Sequence, residues 1–276
     1  MDKLEIIGKA SLKGSINIPG AKNAALPLMV VSLLSKNGLH LKNMPALHDV
    51  FTMKRLLESF GIKINQIDSQ IFFDSTNIKN NIADYELVRK MRASILVLGP
   101  LIAKFKNVKI SLPGGCAIGT RPIDIHLNGL EKLGVKFSIE NGFVSGKVKD
   151  KLIGAFIKLS FPSVGATENI IMAASLAKGE TIIENAAREP EIKDLAKCLN
   201  KMGAKIIGAG TSHIKIKGVK SLSKTEHTII SDRIVAGTYV IAAVMLNNEF
   251  IIKKIKPDLL STPIQVLQNM GAKLEI

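Results

Sequence analysis

The run Leu112-Pro113-Gly114-Gly115-Cys116-Ala117-Ile118-Gly119-Thr120-Arg121-Pro122 holds the chain's densest set of chemically capable residues. It lies between a short apolar strand, Val108 to Leu112, and a helical pattern that Pro122 can open at its first position. Glycines let the backbone approach a ligand closely. N–H groups at a helix start attract anions, and Arg121 offers a two-pronged fork for phosphate or carboxylate. In such an electropositive setting the thiolate of Cys116 is favoured. These residue types point to a nucleophile or proton carrier acting on a phosphorylated substrate. The second cysteine, Cys198, sits between Leu195, Ala196 and Leu199 in a helical pattern and reads as core packing.

Other cations stand at similar places. Of 38 lysines and arginines only six are arginine. Arg92, Arg121, Arg188 and Arg233 fall at segment starts or in loop motifs, whereas Arg55 and Arg89 lie in ordinary helical surroundings. In a lysine-dominated chain, arginine at such positions suggests planar recognition of an anion, the plainer role being to cap carbonyls or pair with a local carboxylate. Lys22 and Asn23 follow Gly20 at the start of an apolar helix, where they can meet an anion or form an ordinary helix cap with a solvated lysine. Asp124 and His126 are two apart, share no helix face and make no metal pair, so His126 reads as structural. No zinc spacing or dinucleotide fingerprint occurs, and neither a metal nor a cofactor is expected.

The elements that must position these residues recur. An apolar helix, a turn residue, a short strand, a loop, a second helix ending in Gly and another strand appear four times, at a spacing of about 70 residues. The turn residues are Gly38, Asn107, Gly179 and Asn248; the closing glycines are Gly61, Gly134, Gly203 and Gly271, each followed one residue later by Lys. Glycine at a helix end followed by a strand is sound stop chemistry. The second copy is the longest, and its surplus falls near the Cys116 loop. The first three copies continue into a hairpin, clearest at Val135 to Ile139, Glu140-Asn141-Gly142 and Phe143 to Val148. In the fourth, Ala272 to Ile276 reads as a strand with no return partner, leaving an unpaired edge.

Bulk composition narrows the classes. A 276-residue chain with 46% hydrophobic residues buries a sizeable core, and two cysteines make no disulfide framework. The net charge of +15 is scattered over lysines among Ile and Asn, with 4% aromatics, which argues against a nucleic-acid binder. The first residues have no signal-peptide shape, and the apolar runs Ala25 to Leu34 and Ala93 to Ala103 are too short for a bilayer. A cytoplasmic protein with no membrane or nucleic-acid partner is expected.

Taken in order, Gly20-Ala21-Lys22-Asn23-Ala24-Ala25, Met91-Arg92-Ala93-Ser94, the Cys116 loop, Ser163-Val164-Gly165-Ala166-Thr167, Glu184-Asn185-Ala186-Ala187-Arg188-Glu189-Pro190-Glu191 and Asp232-Arg233 resemble the UDP-N-acetylglucosamine enolpyruvyl transferases, within the EPSP synthase superfamily. The resemblance runs from Met1 to Ile276. It implies an α/β (α+β) two-domain enolpyruvyl-transferase fold, an inside-out α/β barrel of pseudo-repeats. Residues 22–230 would form a complete three-repeat domain, and 1–21 with 231–276 a truncated second one lacking two repeats.

The family reaction adds the 3′-hydroxyl of UDP-N-acetylglucosamine to C2 of phosphoenolpyruvate, protonates C3 and eliminates phosphate, the first committed step of peptidoglycan synthesis. By resemblance Cys116 is the proton donor. Lys22, catalytic as well, and Asn23 contact phosphoenolpyruvate. Arg92 and the segment Arg121, Pro122, Ile123, Asp124, Ile125 hold the nucleotide sugar. Phe161, Pro162, Ser163 and Val164 line the uridine side, and Glu189, Glu191 and Arg233 are supporting charges. The family's general base would lie beyond Ile276, and Asp232 is not put in its place. The alternatives are an impaired fragment that binds nucleotide sugar or needs a complementary C-terminal chain, and the related 3-phosphoshikimate 1-carboxyvinyltransferase, which does not use this cysteine.

Overall fold

Three helices that are apolar over most of their surface dictate the architecture, because such a helix is stable only when largely buried. In the computed structural model, which describes residues 13–83, 85–89, 91–112, 123–247 and 249–276 together with Lys3, Glu5 and Ile7, these helices lie inside and the sheets outside. The chain divides into two compact units, Lys22–Ile230 and Met1–Ala21 with Ser231–Ile276.

The elements run in repeats. Strand β1 (Gly14–Asn17) comes first. The first repeat has α1 (Lys22–Val31), β2 (Leu39–Lys42), α2 (His48–Ser59), β3 (Lys63–Ile67) and β4 (Gln70–Asp74). The second has α3 (Tyr85–Val88), a 3-10 turn over Arg92–Val97, α4 (Leu98–Phe105), β5 (Asn107–Ser111), α5 (Asp124–Lys132), β6 (Lys136–Glu140) and β7 (Phe143–Lys147). The third has β8 (Phe156–Lys158), α6 (Val164–Ala174), β9 (Glu180–Glu184), α7 (Pro190–Lys201), β10 (Lys205–Ile207) and β11 (His213–Lys217). Then follow β12 (Thr225–Thr228), α8 (Arg233–Met245), β13 (Phe250–Lys253), a 3-10 turn over Pro257–Leu260 and α9 (Ser261–Asn269).

Within Lys22–Ile230 the inner helices are α1, buried from Ala24 to Val31, α4, buried from Leu98 to Ile102, and α6, buried from Ala166 to Ala174. The three sheets run β12-β2-β4-β3, β5-β7-β6 and β8-β9-β11-β10. Their inward residues, such as Leu39 and Leu41, Val108 and Ile110, Ile214 and Ile216, are buried, while alternate positions face out. The Asn-Gly hairpin has both Asn141 (φ 50°) and Gly142 (φ 76°) left-handed, as a two-residue primed turn requires.

The four closing glycines all take left-handed backbone, with φ between 96° and 104°. Each donates its N–H to the carbonyl three residues back, as Gly61 does to Glu58 at 2.9 Å, and the next N–H reaches the carbonyl five back, as Ala204 does to Leu199 at 3.0 Å. This double bond satisfies the last carbonyls of α2, α5, α7 and α9 and turns the chain into the next segment. Two expectations need correction. In the second repeat the left-handed residue is Lys106 (φ 63°), one before Asn107, which already belongs to β5; Asn248 lies outside the described residues. Ala272–Ile276 forms no strand, because no described segment pairs with it.

The ring of Lys22–Ile230 closes through β12, which pairs in parallel with β2. Inside the closure His227 and Asp194 are buried, and the His227 ring donates from Nε2 to Asp194 Oδ1 at 2.9 Å. Asp194 Oδ2 also accepts from the Ile230 N–H at 3.2 Å, so one α7 carboxylate pins both the strand and the chain just after it. The other unit has a smaller core: Ile18, Ala236 and Leu260, packed by Ile16, Val235, Tyr239, Val240, Ile252, Ile255 and Ile264. Its sheet is β1 parallel to β13. Helix α8 is as apolar as α1 and α6, yet only Ala236 is buried; Ile234 is 53% and Met245 79% exposed.

Removing the Asp194 carboxylate should loosen the closure. Asp194→Ala is expected to cost about 3 kcal/mol in urea unfolding, since it strands a buried ring and a backbone N–H. A loss within about 0.5 kcal/mol, the usual effect of a surface change, would mean that the pair does not hold the ring shut.

Candidate active site

The described residues singled out in the sequence gather at helix starts within Lys22–Ile230. Lys22 opens α1, half-buried, with Nζ 3.1 Å from Asp49 Oδ2. Asn23 beside it is exposed. Pro27 has no N–H to give the Asn23 carbonyl four residues back, so that carbonyl is outside the helical ladder. Arg92 opens the 3-10 turn that packs against α1 and α6. Cys116, Arg121 and Pro122 lie outside the described residues. Of their neighbours, Ile123 is the half-buried N-cap of α5, Asp124 is exposed, and the Ile125 side chain is buried in the core. The N–H groups of Asp124 and Ile125 come too early in the helix to have an intrahelical acceptor.

Phe161 is 54% exposed and Pro162 exposed, while Ser163 and Val164 are half-buried at the start of α6. Ser163 caps that helix, its Oγ accepting from Ala166 N at 3.4 Å. Thr167 ties the same turn to the next motif: its hydroxyl donates to the Ser163 carbonyl at 2.7 Å and accepts from Ala187 N at 3.1 Å. The motif from Glu184 to Glu191 is thereby fixed to the first turns of α6.

Electrostatics link these turns. His126 is buried, and burial first, then the neighbouring Arg92, pushes its imidazolium down to about 4 against the pull of Asp124. Gly165 makes room for the ring, since a β-carbon there would stand 3.1 Å from His126 Cε1. One turn on, Glu168 is buried in α6, and burial first, then Glu191 and Glu189, raises its carboxyl well above the usual range. Glu168 Oε1 has no hydrogen-bond partner among the described residues. Burial thus favours the uncharged form of both groups, while Arg92 and Lys22 bring cations to these turns beside the carboxylates of Asp49, Asp124, Glu189 and Glu191.

Glu168 and Asn169 are absent from the sequence-level site. The signal was Thr167-Glu168-Asn169, a polar run one turn into an otherwise apolar helix. Glu191 is buried. Asp232 caps α8, its Oδ1 accepting from Ile234 N at 2.9 Å and Val235 N at 3.0 Å. Cys198 is fully buried, and burial, reinforced by Asp194, pushes its thiol up to about 12. No group of His, Cys, Asp and Glu among the described residues could hold a metal. No helix among them is long and apolar enough to cross a membrane.

Comparison with known proteins bears on this arrangement. The family model described as EPSP synthase (3-phosphoshikimate 1-carboxyvinyltransferase) matches residues 6–276. The chain belongs to the EPSP synthase family. Among similar proteins, the UDP-N-acetylglucosamine 1-carboxyvinyltransferase of Granulibacter bethesdensis is 50% identical over 277 residues, covering 100% of this chain and 66% of its own length. That of Chelativorans sp. is 49% identical, covering 99% and 66%. UDP-N-acetylglucosamine 1-carboxyvinyltransferase 2 of Carboxydothermus hydrogenoformans is 50% identical, covering 99% and 65%. The chain thus spans about two thirds of the length of these relatives.

Solved structures share the fold. The enolpyruvyl transferase NikO from Streptomyces tendae superposes with a TM-score of 0.86 at 19% identity, over 98% of this chain and 65% of that one. EPSP synthase from Acinetobacter baumannii gives 0.76 at 19% identity, over 97% and 61%. The fold is the α/β enolpyruvyl-transferase fold of this family.

Two titrations follow. Folded His126 stays neutral from its ordinary 6.5 down to about 4, so the unfolded chain binds the extra proton there and stability falls as pH drops through that window. Folded Glu168 keeps its proton above its ordinary 4.5, so stability falls as pH rises past that value. Glu168→Gln should raise the melting temperature more at pH 8 than at pH 5; an equal or greater loss at pH 8 would mean that Glu168 is ionised. In the native chain iodoacetamide should leave Cys198 unmodified, checked by peptide mass mapping; rapid labelling of Cys198 would contradict its buried setting.

Proposed function

We propose that this chain carries the substrate-binding half of a UDP-N-acetylglucosamine 1-carboxyvinyltransferase, transferring the enolpyruvyl group of phosphoenolpyruvate to the 3′-hydroxyl of the sugar nucleotide in peptidoglycan synthesis, in the cytoplasm. The observation that carries the reading is 50% identity to a protein of that name across the whole chain. The 3-phosphoshikimate reaction is disfavoured by the Pro-Gly-Gly-Cys loop, which resembles the sugar-nucleotide enzymes. Lys22 and Asn23 would bind phosphoenolpyruvate. Arg92, Arg121, Pro122, Ile123, Asp124 and Ile125 would hold the nucleotide sugar, and Phe161, Pro162, Ser163 and Val164 would line the uridine.

In this mechanism the sugar 3′-oxygen attacks C2 of phosphoenolpyruvate while Cys116 gives its proton to C3. The carbon–oxygen bond to phosphate then breaks, and the C3 proton lost with it returns to an acceptor to restore the enol ether. Lys22 supplies positive charge where phosphate and carboxylate charge must be held, an effect that grows in a site closed to water.

No residue within these 276 is assigned as the base for the 3′-hydroxyl. The remaining third of the relatives' length, continuous with this chain or supplied as a complementary chain, would provide it. A third of such a relative is the size of two more repeats, and the exposed apolar face of α8 is the kind of surface that two repeats bury in Lys22–Ile230.

Phosphate release from phosphoenolpyruvate tests the reading. With the remaining third supplied, release should require UDP-N-acetylglucosamine and fall by at least about a hundredfold in Cys116→Ala, the usual scale for a lost general acid. The chain alone should bind the nucleotide sugar and turn over slowly or not at all. Full release by the chain alone would remove the need for the remainder. Failure of both forms to bind the sugar would overturn the substrate assignment.

A further inference from the structure

Asn169 is fully buried in the second turn of α6, among residues otherwise apolar, and its amide is shared among three elements. Its Oδ1 accepts from the Gly99 N–H in α4 at 2.7 Å. Its Nδ2 donates to the Ile95 carbonyl at 2.9 Å and meets His126 Nδ1 at 3.1 Å. The first two partners settle which end of the amide is which, because a backbone N–H can only donate and a carbonyl can only accept. The remaining N–H of Nδ2 therefore points at His126 Nδ1, which must be an acceptor. The ring proton is then on Nε2.

The same contacts hold the ring in place. Gly99 cannot carry a side chain, since its β-carbon would stand 2.4 Å from Asn169 Oδ1. On the other side, the Cε1–Nε2 edge of the ring lies against Gly165 in the first turn of α6, next to Ser163 and Val164. The Ile95 carbonyl belongs to the 3-10 turn that begins at Arg92. One buried amide thus couples the proton position on His126 to the seat of Arg92.

We propose that Asn169 is a positioning residue: it locks His126 as the neutral Nε2–H tautomer and so presents a fixed hydrogen-bond donor beside Arg92 to the ligand held at the start of α6. That this ligand is a nucleotide sugar rests on the function proposed above; the tautomer lock does not. Among the described residues, the charged groups acting on the ring are Arg92 from the 3-10 turn and Asp124 from the ring's own helix, and the α6 face adds the uncharged Asn169 and Gly165. The lock should therefore persist across the neutral range.

Long-range proton–nitrogen NMR of the full chain, without ligand, reads the tautomer directly. The wild type should show a neutral ring with the proton on Nε2 from pH 5 to pH 8. Asn169→Asp should invert it, because a carboxylate at this place accepts and draws the proton to Nδ1, and the ring should then become cationic at higher pH than in the wild type. A purely structural Asn169 would not move these signals in that direction. Titration with UDP-N-acetylglucosamine should show Asn169→Asp binding at least about tenfold more weakly. An Nδ1–H or averaged ring in the wild type overturns the proposal even if Asn169→Asp fails to fold. So does an uninverted ring in a folded Asn169→Asp. Correct tautomers with undiminished binding overturn the ligand-donor role. A wild-type chain that binds no nucleotide sugar instead refutes the substrate assignment while the tautomer result stands.

Discussion

Ring closure is the constraint on which the larger unit depends. Three copies of one helix-and-hairpin design place α1, α4 and α6 inside the sheets, and these helices are largely apolar and buried over most of their length. They have no stable exposed state, so the sheets must enclose them completely. The last gap is filled by β12 lying parallel to β2, and the seam is fixed by the buried contact of His227 and Ile230 with one carboxylate of α7. A polar interaction, and not more apolar area, specifies where the seam lies. A buried carboxylate accepting two directed bonds tolerates far less slip than apolar contact does.

The same enclosure shapes the candidate site. Stacking repeats in one orientation brings first turns of successive helices near one another, so orphan N–H groups and the residues that precede them concentrate at one end. Burial then edits the charges there. In both His126 and Glu168 it favours the uncharged form, one physical cause acting on charges of opposite sign. The proposed site residues thus sit on helix starts, over a scaffold that repeats for packing.

Much of the scaffold is legible in the sequence because it rests on local chemistry. The four closing glycines are readable since the backbone at those points has φ near 100°, which other residues rarely adopt. The Asn141-Gly142 hairpin is readable for the same reason. Lys106 is not, because a lysine in left-handed conformation follows from its helix end and gives no signal in its type. Lys22 and Arg92 are legible as cations at helix starts. Glu168 and Asn169 escape notice because a lone polar residue in a helix normally reads as a solvated position. Only the packing of α6 against α4, α5 and α7 reveals that they are buried and what they touch. The Cys116 loop is the reverse case: its chemistry is plain from residue types, while its geometry lies outside the described residues.

The two parallel closures, β1 with β13 and β12 with β2, each join strands far apart in the chain, since β1 directly precedes the helix that opens Lys22–Ile230 and β12 directly precedes α8. This ordering has a consequence for the nascent chain. Lys22–Ile230 ends with its own sealing strand and can complete as soon as that strand emerges. Strand β1, made before the whole of Lys22–Ile230, has to wait for β13, roughly tens of seconds at ordinary rates of synthesis. A strand that must stay unpaired so long invites wrong partners. Its sequence, Gly-Ser-Ile-Asn behind Lys13, is short and polar apart from Ile16, and so is poorly suited to pair with anything but the partner it awaits.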